Sequence, residues 1–145
     1  MSQEPAFWDA SALVPLCVHE ITSRQAQSQL RHSMPVVWWA SPVEVHSAIA
    51  RLHRRGKLKD VHKKGALSRL EMLSQGWREI LPSDPLRELS TQLLETYELR
   101  AADSLQLAAA LTWCQQRPAG RTFICADQHL SKSAAAAGFA VVELS

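Results

Sequence analysis

Hydrophobic and polar positions change period repeatedly along the chain, and each change predicts an element. Ala6-Phe7-Trp8 is a short apolar run ended by Asp9, which predicts a strand whose carboxyl end carries that acid. Ser11 follows in a position suited to cap a helix over Ala12 to Val18, interrupted by Pro15. Ile21 to His32 is polar and helical in character, and Met34-Pro35 predicts a break after it. Val36 to Ala40 (VVWWA) is β-branched, aromatic and apolar throughout, too short for a helix, as a strand covered on both faces is. Ser41-Pro42-Val43-Glu44 opens a helix with Val45, Ile49 and Leu52 on one side and Glu44, Ala48, Arg51 and Arg55 along another row.

Gly56 interrupts the basic stretch that follows, a helix is predicted over Ala66 to Leu73, and Trp77 to Leu81 reads as a short extended segment. Ser83-Asp84-Pro85 caps an amphipathic helix bearing Leu86, Leu89, Leu93, Leu94 and Tyr97. Leu99 to Arg117 predicts a Leu- and Ala-rich helix, apolar on most sides and stopped by Pro118-Ala119-Gly120. A strand over Arg121 to Ala126 ends on Asp127, a helix runs from Gln128 to Ala137 with Gly138 as its C-cap, and Phe139 to Leu144 makes a last strand. Strands alternating with helices predict an α/β sandwich with a mainly parallel sheet and right-handed crossovers, one domain over residues 1–145.

Composition narrows the setting. At 145 residues and 46% hydrophobic the chain can bury a proper core. No apolar run approaches the ~20 residues of a membrane span, and MSQEPAFWD lacks the features of a signal peptide, so a cytoplasmic protein is expected. Cys17, Cys114 and Cys125 sit in apolar sequence without Cys-x-x-Cys spacing and read as small core residues.

The candidate chemistry starts from Asp103, an acid heading the apolar row Asp103, Leu107, Ala110, Cys114. A lone buried carboxylate costs several kcal/mol, so this one calls for a cation, a donor or water at the mouth of a cleft. In parallel sheets the ligand crevice lies outside the carboxyl ends of the strands. Asp9 and Asp127 end strands there, Glu44 follows the end of VVWWA, and Asp103 opens a helix covering the sheet, so all four can face one crevice. Crowded carboxylates repel unless a cation is present, and an oxygen-only donor set points to Mg²⁺ or Mn²⁺. Such a site suits hydrolysis of a phosphodiester by an activated water. With these acids committed to a metal, the rest of the chain holds 16 basic residues against 10 acidic ones, a field for a polyanion. The run from Arg51 to Lys64, with Arg51, Arg54 and Arg55 at its head, is a candidate RNA track.

Each feature has a structural counter-reading. Asp103 in a first turn complements the helix dipole, Ser41-x-x-Glu44 matches a capping box, and a basic run is commonly a solvated surface. A receiver-type phosphoacceptor would want an acidic pair after the first strand, and a haloacid-dehalogenase-like phosphatase a second Asp where Ser11 stands.

Taken together, Phe7-Trp8-Asp9-Ala10-Ser11-Ala12-Leu13, Ser41-Pro42-Val43-Glu44, LRAADSLQLAAA around Asp103, and Cys125-Ala126-Asp127-Gln128-His129-Leu130 with Gly138 and Phe139 beyond resemble the PIN domain. Specifically, they resemble the VapC-like endoribonuclease toxins of type II toxin–antitoxin systems. The resemblance implies a three-layer α/β/α fold and a Mg²⁺- or Mn²⁺-dependent endoribonuclease that leaves 5′-phosphate and 3′-hydroxyl ends. It further implies a structured RNA substrate (tRNA, rRNA or mRNA), a homodimer, and a small cognate antitoxin that blocks the site. Under it, Asp9, Asp103 and Asp127 are metal ligands, directly or through water. Glu44 completes the metal site and orients the water, and Ser11 supports Asp9 by hydrogen bonding. Cys125 stands where Thr or Ser is common and Gln106 where His is common, which opens the question of what supports the acids. A PIN-like module that binds RNA or protein without cutting is the alternative; His129 beside Asp127 reads as a supporting or surface residue, not a general base.

Overall fold

The computed structural model describes residues 3–145. Five strands, β1 (Glu4–Trp8), β2 (Ser33–Trp38), β3 (Arg78–Ile80), β4 (Thr122–Cys125) and β5 (Ala140–Glu143), form one sheet in the order β3-β2-β1-β4-β5. Every pairing is parallel, with Phe7 opposite Val36 on one side and opposite Phe123 on the other. The helices are α1 (Ala10–Cys17), α2 (Ser23–His32), α3 (Ser41–Arg54), α4 (Asp60–Gly76), α5 (Asp84–Thr96), α6 (Ala101–Trp113) and α7 (Gln128–Ala137).

The two-residue period of the strands divides the core. Ala6, Trp8, Val37 and Ile124 point to one face and pack with Leu13, Val45, Ile49 and Leu70 from α1, α3 and α4. Phe7, Val36, Trp38, Phe123 and Cys125 point to the other and meet Leu86, Leu107, Leu111 and Leu130 from α5, α6 and α7. Phe7 stacks on Phe123 with ring centroids 5.3 Å apart. The result is a three-layer α/β/α sandwich of PIN-like topology. From β1 the chain steps outward to β2 and β3 with helices on one face. It then returns to β4 and β5 on β1's other side with helices on the opposite face, as right-handed crossovers demand. The reversal falls between β1 and β4, and it leaves a crevice outside their carboxyl ends.

Several boundaries differ from those the sequence predicts. The first helix is capped by Asp9 and not by Ser11. Met34-Pro35 lies inside β2, because β3 pairs only with Val36 to Trp38 and Pro35 falls outside the stretch paired on both sides. The helix predicted from Ala66 starts at Asp60 and continues to Gly76. The Leu99–Arg117 helix ends at Trp113, where Gln115 and Gln116 take left-handed φ of 54° and 58° and Gln116 N–H bonds back to the Leu111 carbonyl. All three cysteines are free and buried. Among the described residues no helix is long and apolar enough to cross a membrane.

Candidate functional site

Asp9 is set by the β1–α1 turn. Its N–H donates to the Ile124 carbonyl at 3.0 Å, which ties the end of β1 to β4. Its Oδ2 accepts from the Ser11 N–H at 3.1 Å and from the Ser11 hydroxyl at 2.5 Å, so it is both helix cap and site acid. Ser11 Oγ in turn accepts from the Ala126 N–H at 2.9 Å and so bridges the two strand ends. Asp127 caps α7 in the same way, its Oδ1 accepting from the N–H groups of His129 at 2.8 Å and Leu130 at 3.2 Å. Cys125 fits between the two acids: its thiol lies 3.7 Å from Asp9 Oδ2, bonds the Asp127 carbonyl at 3.3 Å, and accepts from the Asp127 N–H at 3.4 Å. Burial pushes that thiol up to about 12, so it stays a neutral donor beside the acids.

Glu44 is not part of a capping box. The N-cap of α3 is Ala40, in helical conformation, and makes no side-chain cap bond. Ser41 is fully buried and its hydroxyl accepts from Gln106 Nε2 at 3.1 Å, while the same amide donates to Glu44 Oε2 at 2.6 Å. Gln106 is therefore the residue that holds Glu44, from the fully buried side of α6. Its periodicity was readable, since it sits among Leu107, Ala108 and Ala109, but its partners came from α3, distant in sequence.

The electrostatics join these positions into one site. Asp9, only 5% exposed, has its carboxyl pushed up to about 6, first by burial and then by the charges of Asp103 and Asp127, against the Ser11 hydrogen bonds that lower it. Glu44 is pushed up to about 7 by burial, with Asp9 and Asp103 adding to the rise and the Gln106 bond opposing it. Asp103, in the first turn of α6, is raised by burial and by Asp127, while His129 and Arg100 pull it down. A crevice of about 930 Å³ opens over this group, its wall including Glu44, Asp103, Asp127, Arg51, Arg100 and His129. Asp9, almost wholly buried, is not part of that wall; its link to the group is the coupling of its charge to those of Asp103 and Asp127. Arg51 thus reaches the crevice, whereas Arg54 and Arg55 are exposed at the end of α3 and are not part of its wall. Arg100 was missed in the sequence; it is the N-cap residue of α6, in extended conformation, three residues before Asp103. The His129 ring bonds the Glu98 carbonyl.

The donor set is carboxylate oxygen alone, which suits a hard divalent ion. Among the described residues no three His, Cys, Asp or Glu side chains close on a common point as a ready-made cage.

Fold and site define a PIN-like α/β/α protein with four acids at the topological switch point. No family model matches the sequence, and no curated protein sequence is similar to it. Solved structures with the same fold are, however, found. VapBC2 from Rickettsia felis, bound to a DNA fragment from their promoter, superposes with a TM-score of 0.66 at 12% identity, covering 97% of this chain and 98% of that one. FitAcB from Neisseria gonorrhoeae gives 0.65 at 18% identity over 95% and 96% of the two chains. A toxin–antitoxin complex from Klebsiella pneumoniae gives 0.62 at 18%, over 87% and 90%.

Proposed function

We propose that this protein is a divalent-metal-dependent endoribonuclease, the toxin of a toxin–antitoxin pair. The observation that carries the proposal is the gathering of Glu44, Asp103 and Asp127 on the wall of one crevice, with the buried Asp9 near enough to couple to all three. Asp9 and Asp127 also cap helices, so folding alone accounts for them. Glu44 and Asp103 cap nothing: each sits in a first turn, where the helix dipole favours an acid, yet burial and the neighbouring acids oppose its charge, and among the described residues neither forms an ion pair with Lys or Arg. Carboxylates kept together against burial and mutual repulsion are matched to a bound cation.

The four acids would hold Mg²⁺ or Mn²⁺, directly or through water. When bound, such an ion supplies a more acidic water and offsets negative charge at a phosphodiester. The chain's own groups do the rest. Ser11 fixes the Asp9 carboxylate, Gln106 fixes Glu44 so that its other oxygen can orient the attacking water, and Arg51 and Arg100 draw phosphate to the wall. The likeness of fold to chains from toxin–antitoxin complexes supports a small cognate antitoxin as partner; a homodimer in the cytoplasm belongs to the same proposal. The substrate class is structured cellular RNA, tRNA, rRNA or mRNA.

The test is cleavage of total cellular RNA by antitoxin-free protein with Mg²⁺ or Mn²⁺, with EDTA, and with the Asp9→Asn variant. Discrete fragments with 5′-phosphate ends that require both metal and Asp9 are expected. Fragments ending in a 2′,3′-cyclic phosphate would overturn the mechanism, and folded protein that binds RNA without cutting it would replace the nuclease with a non-cleaving module.

A further inference from the structure

A second concave surface lies on the other side of α6 from the acids. It has a volume of about 330 Å³ and is lined by Trp38, Trp39, Leu86, Leu105, Asp84 and Arg87 among others. Trp39 leaves the carboxyl end of β2 with its N–H bonded to the Ile80 carbonyl at 3.1 Å, so its backbone is anchored. Its side chain is nonetheless 52% exposed, and it stands edge-on to the buried Trp38 at 6.4 Å and 70°. An anchored indole that leaves half its surface in water offers a flat face to a ligand.

The surroundings identify what that face takes. Asp84 and Arg87 flank it on α5, and among the described residues neither is engaged in an ion pair. A hydrogen-bond acceptor and a forked donor beside an aromatic floor match the edges of a nucleobase, and not those of an aliphatic side chain. Position agrees. Leu105 on this wall and Asp103 on the crevice wall both lie in the first two turns of α6 and point about 200° apart, so the two surfaces open on either side of the same helix end, roughly one helix diameter of about 10 Å from each other. Glu44 likewise begins only a turn after Trp39.

We propose that Trp39 is the stacking platform for an unpaired base of the RNA substrate, held one or two nucleotides from the scissile phosphate, with Asp84 and Arg87 reading the edge of that base. The inference rests on the ribonuclease reading given above. It names the substrate feature that the acids cannot select, an unstacked nucleotide beside the cut, as in a loop or bulge.

The test uses fluorescence anisotropy of labelled RNA on the Asp9→Asn protein, which prevents cleavage, with and without Trp39→Ala or Trp39→Phe. A single-stranded oligonucleotide and a duplex of the same sequence are compared. Loss of stacking on one base should weaken single-strand binding by roughly 5- to 150-fold in Trp39→Ala, and less in Trp39→Phe, with duplex binding unchanged. In the cleaving protein the same variants should raise KM more than they lower kcat. Equal single-strand affinity with and without Trp39 would overturn the platform while leaving the nuclease intact. Altered oligomeric state with unaltered RNA affinity would give the patch to a protein contact and overturn it as well. Failure of the parent protein to bind any RNA would remove the ribonuclease reading, and this inference with it.

Discussion

Asp9 and Asp103 are the same residue type in one site, yet folding treats them differently. Asp9 satisfies the first turn of α1, a task that Asn performs equally well, and its charge is opposed by burial and by Asp103 and Asp127, so Asp9→Asn should keep the fold and raise the unfolding temperature of the metal-free protein at neutral pH. Cleavage should fall by orders of magnitude, because the charge that a metal needs is gone. Asp103 caps nothing, and its carboxyl is raised by burial and by Asp127. Asp103→Asn should therefore abolish cleavage and raise the unfolding temperature, at about 2–4 °C for each kcal/mol of relieved repulsion. Calorimetry beside a cleavage assay checks both. Retained activity in either variant would remove that acid from the site. Cys125 serves two ends: its apolar setting predicts core packing, which it provides, and its thiol also touches Asp9, Ser11 and Asp127.

At the level of elements, the crevice depends on α6 meeting α3. Gln106 is the joint, one amide serving both Ser41 and Glu44. Gln106→Leu keeps the volume roughly constant but leaves Ser41 unpaired and Glu44 unsupported. Cleavage and Mn²⁺ affinity should each drop about 10- to 100-fold. A purely structural role would instead lower the unfolding temperature and leave metal affinity alone. The α3 helix carries the other element-scale prediction. Its row from Glu44 to Arg51 is two turns long and brings Arg51 to the crevice wall, while Arg55 lies past the helix end. Arg51→Ala should accordingly weaken RNA binding and reduce the slope of log affinity against log salt by about 1; Arg55→Ala should do less. Equal slopes in both variants and the parent would return the whole run to solvated surface.

For the molecule as a whole, the acid cluster sets how stability depends on pH. Asp9 and Glu44 have folded-state values of about 6 and about 7, above their ordinary 3.8 and 4.5. Through that window the folded protein holds protons that the unfolded chain has released. The metal-free protein should then lose stability as pH rises from about 4 to about 7 and level off above. A divalent ion binds only the ionised form, so its stabilising effect should be larger at pH 8 than at pH 5. Thermal unfolding with Mg²⁺ or EDTA at the two pH values measures this. A metal effect independent of pH would mean that the ion sits elsewhere.

The element order and the sheet's two-sided burial were legible from local pattern, because period-2 and period-3.6 hydrophobicity are consequences of backbone geometry. The runs Ala6–Trp8, Val36–Trp38 and Phe123–Cys125 each became strands with alternate residues on opposite faces. The four acids could also be named in advance, since a strand end or a helix start is a position along the chain. Which features of those positions mattered was settled by contacts between distant segments. Ser41-x-x-Glu44 matches a capping box in sequence, yet its side chains turn to Gln106, 62 residues beyond Glu44, because a buried amide must find partners. Arg51 and Arg55 are equivalent in the linear pattern, and they are separated because α3 ends at Arg54 and only Arg51 reaches the crevice wall. Hydrophobic periodicity records which way a side chain faces within its own element, whereas the partner across a crevice depends on how two elements dock, and no local pattern carries that information.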